Sequence, residues 1–127
     1  MSLIVKKFGG TSLGTGERLQ NVARIVQSGI TNHQSIIVVS AMSSYTKAEG
    51  TTSRLLEAGQ QALANGPFFR ILDLVEQTHF EALAQAIPDP EIQEEIREFV
   101  HQELQVLKSF LDAIHVIREI SPRSQDL

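Results

Sequence analysis

The chain of 127 residues contains no cysteine and no tryptophan, and only 6% of its residues are aromatic. The absence of cysteine excludes disulfide bonds and thiolate metal ligands, and it is compatible with the cytoplasmic location that we expect. Basic residues are sparse, since 11 lysines and arginines stand against 15 acidic residues and the formal net charge is −4. A chain with few aromatics and no basic stripe is poorly suited to nucleic acid, and we expect no such partner.

Long apolar runs are also missing. No stretch reaches the ~18 consecutive apolar residues of a membrane-spanning helix, so we expect no membrane partner. The two lysines near the N-terminus precede no long apolar segment, so we expect no secretory signal. The four histidines lack the close spacing of metal ligands, and no metal site is predicted. The hydrophobic content of 42% is ordinary for a globular domain large enough to bury a core.

A glycine-rich turn near the N-terminus is the most informative segment. It follows an apolar run at 3–8 that favours a buried strand, and it precedes residues 15–30, whose apolar positions have helical spacing. Free N–H groups and the dipole at a helix start suit an anion. Gly9 and Gly10 lack the Cβ that would hold a phosphate away from the main chain, and Lys7 would add a full positive charge. Because the lysine precedes the glycines, the turn matches neither the Walker A nor the GxGxxG pattern.

Structural explanations for the same residues stay open at this point. Glycine turns between a strand and a helix are often purely structural. Lys6 and Lys7 would then be a solvated pair at a strand end, and Ser12 would cap the helix that follows. The glutamates that crowd the predicted helix start at 91–98 are explained by the helix dipole without any catalytic role.

The segment at 35–40 predicts a second strand. Its four consecutive apolar residues indicate burial on both faces, as in a parallel sheet covered by helices. Strand, helix and strand over this length form a βαβ unit. Residues 41–50 are expected to form a loop, and a helix from residue 51 is expected to stop at Asn65-Gly66-Pro67. The βαβ unit with this loop and helix makes up residues 1–66.

The second half, residues 67–121, predicts a long helical hairpin. An amphipathic helix from Phe68 is followed by a break at Pro88-Asp89-Pro90, where Asp89 would cap the next helix. One apolar stripe from Ile92 to Ile117 then predicts a helix roughly 40 Å long, which Ser121-Pro122 would end. Two strands are too few for a stable sheet, so we expect the start of a larger α/β domain. Pairing between copies in a homo-oligomer, or the helical hairpin, would cover the exposed surface.

Three blocks of sequence, in order within residues 4–56, resemble one protein family. The block Lys7-Phe8-Gly9-Gly10-Thr11-Ser12 resembles the N-terminal signature of aspartate kinases, which belong to the amino acid kinase family. Residues 36–42 resemble the second strand of that family and the loop that leaves it. The block at 45–56 is similar to the branch found in fungal and some bacterial aspartate kinases, and residues 121–127 resemble the approach to another active-site segment. The resemblance implies the N-terminal part of a carbamate kinase-like three-layer α/β/α sandwich.

The resemblance also implies a reaction and the residues that serve it. The full enzyme would transfer the γ-phosphoryl group of ATP–Mg²⁺ to the β-carboxylate of L-aspartate, giving 4-phospho-L-aspartate, the first step toward lysine, threonine and methionine. Lys7 would be the catalytic cation. The ATP-phosphate contacts implied by the resemblance are Lys7, Gly9, Gly10, Thr11 and Ser12. Ser40 and Thr46 would contact L-aspartate, or would otherwise be loop hydroxyls that satisfy nearby amides.

Two alternatives to the aspartate kinase assignment remain. One is another amino acid kinase relative that acts on glutamate or N-acetylglutamate, and the other is a non-catalytic helical interaction module. In the family, the nucleotide's base contacts, further substrate ligands and the regulatory domains lie beyond the matched segment. The rest of the kinase domain and the regulatory domains would therefore be absent here, and we expect this chain alone to be inactive.

Overall fold

The chain begins with a parallel βαβ unit and continues as three helices. A computed structural model describes the backbone of residues 2–125 and the side chains of residues 2–119. The elements are β1 (Ser2–Phe8), α1 (Gly16–Gly29), β2 (His33–Val39), α2 (Thr51–Leu63), α3 (Phe69–Ala86) and α4 (Pro90–Gln125), with short 3-10 turns at Gly10–Leu13 and Lys47–Glu49. This order confirms the α/β class and the βαβ unit. No helix in the described residues is long and apolar enough to cross a membrane.

The two strands pair in parallel, with Ser2 opposite His33 at one end and Phe8 opposite Val39 at the other. Helix α1 ends against one face of this sheet, since a Cβ on Gly29 would lie 2.7 Å from Lys6 Nζ and from His33 Nε2. On the other face four apolar side chains are 43–62% exposed: Leu3, Val5, Ile36 and Val38. The expected burial of β2 on both faces is therefore wrong for the described residues, because none of them covers this second face.

Local signals place the ends of α1 and α2 well. Helix α1 spans 16–29 against the expected 15–30, and the Thr15 hydroxyl caps it by accepting from the Arg18 N–H at 3.2 Å. Ser12 lies in the preceding 3-10 turn and does not cap α1. The expected stop after α2 is confirmed, because Asn65 takes a left-handed φ of 59° just beyond the last turn.

The main core lies between α2, α3 and α4. Five buried side chains form it: Ala58, Ala62, Phe68, Leu72 and Leu111. Helix α2 packs against both helices of the second half, α3 and α4. Small alanines bring α2 close to its neighbours. Leu56 and Leu63 of the same helix lie outside this core and are 64% and 52% exposed.

Helix α3 also joins the helical half to the βαβ unit. A Cβ on Gly16 would lie 2.5 Å from Gln85 Cβ and 2.8 Å from the Ala82 carbonyl oxygen. The Gln20 side-chain amide donates to the Gln85 carbonyl at 2.9 Å. The first turns of α1 therefore rest directly on the last turns of α3, which fixes the βαβ unit against the helices.

Helix α4 begins as expected and ends later than expected. Asp89 accepts from the Glu91 N–H at 2.9 Å, with Pro90 as the first helical residue. The helix has 36 residues, or about 54 Å of length. The predicted end at Ser121-Pro122 is wrong, because the helix continues to Gln125. Proline disfavours but does not forbid a helical conformation in the residue before it, so this signal marks a boundary less firmly than a cap does.

Candidate functional site

The loops that follow β1 and β2 are joined at the carboxyl edge of the sheet. The Ser40 N–H donates to the Phe8 carbonyl at 3.2 Å, just beyond the last paired residues. The Ser43 N–H donates to the Gly10 carbonyl at 3.0 Å. In open parallel sheets ligands bind at this edge. Two main-chain hydrogen bonds thus bring the glycine-rich turn and the second loop together where a ligand is expected.

The glycine-rich turn leaves some of its amides without internal partners. The Ser12 N–H donates to the Gly9 carbonyl at 3.1 Å, which closes the first bond of the 3-10 turn. The N–H groups of Gly10 and Thr11 precede that bond and have no acceptor within the turn. The sequence predicted that the free amides would belong to the first turn of α1. Helix α1 begins only at Gly16, so these amides belong to the 3-10 turn instead. The Ser12 N–H is already hydrogen-bonded to Gly9, but the Ser12 side chain is exposed and its hydroxyl can contact a ligand.

The two adjacent glycines of the turn have different reasons to be glycine. A Cβ on Gly9 would find nothing within 4 Å, so its main chain is open to an approaching group. A Cβ on Gly10 would lie 2.5 Å from the Ala41 carbonyl oxygen and 2.8 Å from Ser43 Cβ. The space beside Gly9 is therefore open, whereas the second loop occupies the space beside Gly10 that a Cβ would need.

Three glycines enclose Ser43, a contact that the sequence did not reveal. Besides Gly10, a Cβ on Gly14 would overlap the Ser43 carbonyl oxygen, and a Cβ on Gly50 would lie 2.8 Å from Ser43 Oγ. Gly50 is far from Gly10 and Gly14 in the sequence, so only the folded chain shows that all three contact one neighbour. Together they hold the second loop against the first.

Alanine at Gly10 is expected to separate the two loops. The added methyl needs about 1 Å of displacement of the Ala41 carbonyl, because an ordinary contact is 3.4 Å or more and the structure offers 2.5 Å. Overpacking of this kind costs about 1–3 kcal/mol in the free energy of unfolding. Gly9→Ala is a matched control with nothing within 4 Å, and it should change stability by less than about 0.5 kcal/mol. Urea denaturation measures both, and equal effects would contradict the packing described here.

Lys7 lies one residue before the end of β1, with an exposed side chain. Strand alternation puts it on the face of Leu3 and Val5, opposite the face where Lys6 approaches the end of α1. Among the described residues no acidic group lies within 4.0 Å of its ammonium. Lys7 is therefore a solvated cation near the carboxyl edge, and it is not buried against apolar neighbours.

A cavity of about 480 Å³ lies between the two loops. Its lining includes Gly10, Thr11 and Ser40, which the sequence assigned to phosphate and substrate contacts, and also Lys47 and Ser53. The structure thus brings three of the seven assigned residues into one cavity. Polar groups and a cation around a concave surface suit a small anionic ligand.

The other four assigned residues do not line this cavity. Thr11 also lines a second cavity of about 560 Å³ on the α1 side of the turn, together with Ser12. Lys7, Gly9 and Thr46 are not among the lining residues of either cavity. The exposed Thr46 donates its N–H to Ser44 Oγ at 3.2 Å. The structure therefore does not bring Thr46 to the surface that Ser40 shares with the turn.

Arg18 is a cation beside the turn that sequence reasoning missed. Its Nη1 donates to the Thr11 carbonyl at 2.9 Å, and its guanidinium carbon lies 4.1 Å from the centre of the Tyr45 ring. These contacts connect the turn, α1 and the second loop. The helix dipole disfavours a cation in the first turn of a helix, so the position of Arg18 was a signal that the sequence offered. The contact with Tyr45 is visible only in the fold.

Comparisons with known proteins agree on one family. The model of the amino acid kinase family matches residues 2–111. The chain is 36% identical over 126 residues to an aspartokinase of Schizosaccharomyces pombe and 38% identical over 128 residues to an aspartokinase of Saccharomyces cerevisiae. Each match covers 98% of this chain and 24% of the relative, so the chain spans about a quarter of the length of these curated relatives.

A solved structure shares the fold. The aspartate kinase of Clostridium acetobutylicum superposes on 95% of this chain with a TM-score of 0.60 and 18% sequence identity. The superposition covers 30% of that enzyme's chain. It confirms that residues of this chain adopt the fold of part of an aspartate kinase, as the sequence resemblance implied.

Proposed function

This chain belongs to the amino acid kinase family, and we propose that it is the N-terminal part of an aspartate kinase. The full enzyme transfers the γ-phosphoryl group of ATP–Mg²⁺ to the β-carboxylate of L-aspartate and gives 4-phospho-L-aspartate. The formation of this product is the first step toward lysine, threonine and methionine. The enzyme acts in the cytoplasm as a homo-oligomer. The proposal for acceptor and pathway is supported by the aspartokinase names of the relatives.

The cavity between the two loops is the observation that carries the proposal. It joins the free amides of the glycine-rich turn to Ser40 at the carboxyl edge of the parallel strands. A kinase needs the phosphate donor and the acceptor side by side, because in-line transfer requires the attacking oxygen close to the γ-phosphorus. A turn that binds phosphate and a neighbouring loop that binds the acceptor provide this arrangement.

Each residue then has a role in the transfer. The amides of Gly9, Gly10 and Thr11 and the hydroxyl of Ser12 bind the β- and γ-phosphates. Lys7 stabilises the charge on the phosphoryl group as it moves to the acceptor. Ser40 and Thr46 hold L-aspartate, which requires the loop at 44–46 to move toward Ser40, since Thr46 lies outside the cavity lining here.

The chemistry demands little from a general base. One carboxylate oxygen of L-aspartate attacks the γ-phosphorus, the bond from that phosphorus to the β–γ bridging oxygen breaks, and ADP leaves. The attacking oxygen is already ionised at neutral pH, so no proton has to be removed. Mg²⁺ arrives with ATP and neutralises phosphate charge. Positioned cations and amides therefore provide most of the rate enhancement.

Acceptor preference tests the proposal directly. The purified full-length enzyme would be assayed with ATP–Mg²⁺ and, in turn, L-aspartate, L-glutamate and N-acetyl-L-glutamate, with hydroxylamine trapping the acyl phosphate. L-Aspartate and L-glutamate differ by one methylene, which a fitted pocket discriminates by about 10- to 200-fold. We expect kcat/KM for L-aspartate to exceed kcat/KM for L-glutamate by at least about 10-fold. A higher kcat/KM for either of the other acceptors would assign the chain to a different kinase of the family.

A further inference from the structure

Residues 44–46, which we call the loop tip, form a short turn in the second loop. The Thr46 N–H donates to Ser44 Oγ at 3.2 Å and closes this turn on itself, with Tyr45 at its centre. Ser43, just before the loop tip, is bonded to the glycine-rich turn. None of the hydrogen bonds between described residues involves Tyr45. The position of the loop tip therefore depends on what the Tyr45 side chain contacts.

The Tyr45 side chain rests on Arg18 in the first turn of α1. The guanidinium carbon lies 4.1 Å from the centre of the Tyr45 ring, well within the ~6 Å over which a cation and a ring face attract. Arg18 is fixed independently of Tyr45, because its Nη1 donates to the Thr11 carbonyl at 2.9 Å and its main-chain N–H donates to the Thr15 hydroxyl at 3.2 Å. The loop tip is thus attached to a side chain that the rest of the structure holds in place.

The surroundings of the guanidinium suit these two contacts. A Cβ on Gly14 would lie 3.3 Å from Arg18 Nη1, so the glycine leaves the space that the arginine uses. Within residues 2–119, no acidic group lies within 4.0 Å of Arg18, and no ion pair competes with Tyr45. A planar guanidinium donates hydrogen bonds in its plane while its face stacks on a ring, which a lysine ammonium cannot do. One side chain can therefore hold both the glycine-rich turn and the loop tip.

The position of Thr46 gives this contact a functional consequence. Thr46 follows Tyr45 directly and lies outside the lining of the cavity that Ser40 shares with the turn. For Thr46 to reach an acceptor bound at Ser40, the loop tip has to leave its present position, and the Tyr45 ring has to leave Arg18. We propose that Arg18 is a positioning residue of the acceptor site, an inference that rests on the proposed function. Through the Tyr45 ring it holds the loop tip in a resting position until the acceptor binds.

The Arg18–Tyr45 contact then lowers the apparent affinity for the acceptor. A site that is assembled in only a fraction of the molecules binds with an affinity reduced by that fraction. A cation–π contact at an accessible site shifts such an equilibrium by about 2- to 5-fold, here toward the resting position. Removing the ring should therefore strengthen acceptor binding, whereas removing a residue that only supports the site would weaken it.

Steady-state kinetics of the full-length enzyme at saturating ATP–Mg²⁺ tests this role of Arg18. We expect Tyr45→Leu to lower the KM for the acceptor by about 2- to 5-fold and to leave kcat within about two-fold. Tyr45→Phe is the matched control, since it keeps the ring face, and its KM should stay close to that of the unchanged enzyme. An unchanged or higher KM in the Tyr45→Leu enzyme would overturn the proposal.

A double-mutant cycle connects the effect to Arg18. In an Arg18→Met enzyme, which lacks the guanidinium, Tyr45→Leu should produce no further decrease in KM. Arg24→Met is the matched background, because it removes the same charge from α1 at a position where Nη1 donates to Asn21 of the same helix at 2.7 Å. The full effect of Tyr45→Leu should persist there. An equal decrease in the Arg18→Met and Arg24→Met backgrounds would show that another group holds Tyr45 and would overturn the proposal.

The result is separable from the identity of the acceptor. The KM is measured with whichever of L-aspartate, L-glutamate and N-acetyl-L-glutamate gives the highest kcat/KM. A decreased KM for L-glutamate in the Tyr45→Leu enzyme would refute the proposed acceptor and support the role of Arg18. An increased KM for L-aspartate would support the acceptor and refute the role of Arg18.

Discussion

Replacing Lys7 by alanine in the full-length enzyme is expected to lower kcat by about 100- to 1,000-fold, the usual effect of removing one preorganised donor from the site of developing charge. The side chain is exposed near the carboxyl edge of the sheet, and no described acidic group within 4.0 Å neutralises it. Its charge is therefore unneutralised by the described residues, as the proposed role in phosphoryl transfer requires. Steady-state kinetics with L-aspartate and ATP–Mg²⁺ measures the effect.

The neighbouring Lys6 is a matched control. It carries the same charge one residue earlier in β1, yet it points to the opposite face, where its ammonium lies beside Gly29 at the end of α1. Lys6→Ala should leave kcat within a few-fold of the unchanged enzyme. An equal decrease in kcat for both variants would indicate a general effect of positive charge on β1 and would contradict a specific catalytic role for Lys7.

Phe68→Ala is expected to lower the free energy of unfolding by about 3–5 kcal/mol. Phe68 is 3% exposed and lies in the core between α2, α3 and α4, in contact with the layer that holds Leu72 and Leu111. Truncation leaves a cavity where three helices meet, and the surrounding side chains can fill it only partly. Such a loss is a large fraction of the stability of a domain of this size.

The adjacent phenylalanine again provides the control. Phe69 is 48% exposed, and its ring stacks edge-on against Phe68 with centroids 6.2 Å apart. Phe69→Ala should cost less than half as much as Phe68→Ala, because about half of the Phe69 surface is already in water, whereas Phe68 is almost fully buried. Urea denaturation followed by circular dichroism would measure both changes. A larger loss for Phe69 would mean that the helices pack in another way.

The sequence was most informative where a local rule decides the structure. The Asp89-Pro90 helix start and the stop at Asn65 depend on groups within a few residues, and both occur as predicted. The shared edge for the glycine-rich turn and Ser40 also follows from a simple rule, because parallel strands end on the same side. These features could be derived without knowing what else packs nearby.

Features that depend on distant contacts were not predictable from the pattern. Phe68 and Phe69 are the same residue type, and only the packing of α2, α3 and α4 decides that the first is buried. Phe99 belongs to the same apolar periodicity as the core residues of α4, yet it points outward. The same holds for two contacts in the site, the packing of Gly10 against Ala41 and the hydrogen bond from Arg18 to Thr11. Each depends on how two segments pack in the fold, which local sequence rules do not predict.

The central claim is that the turn after β1 binds the phosphates of ATP, and a crystal structure of the full-length enzyme with Mg²⁺ and a non-hydrolysable ATP analogue tests it most directly. We expect the β- and γ-phosphates within ~3.2 Å of the Gly9 and Gly10 amides, with Lys7 Nζ at similar distance from a γ-phosphate oxygen. Phosphates bound away from this turn, with Lys7 still in solvent, would contradict the account.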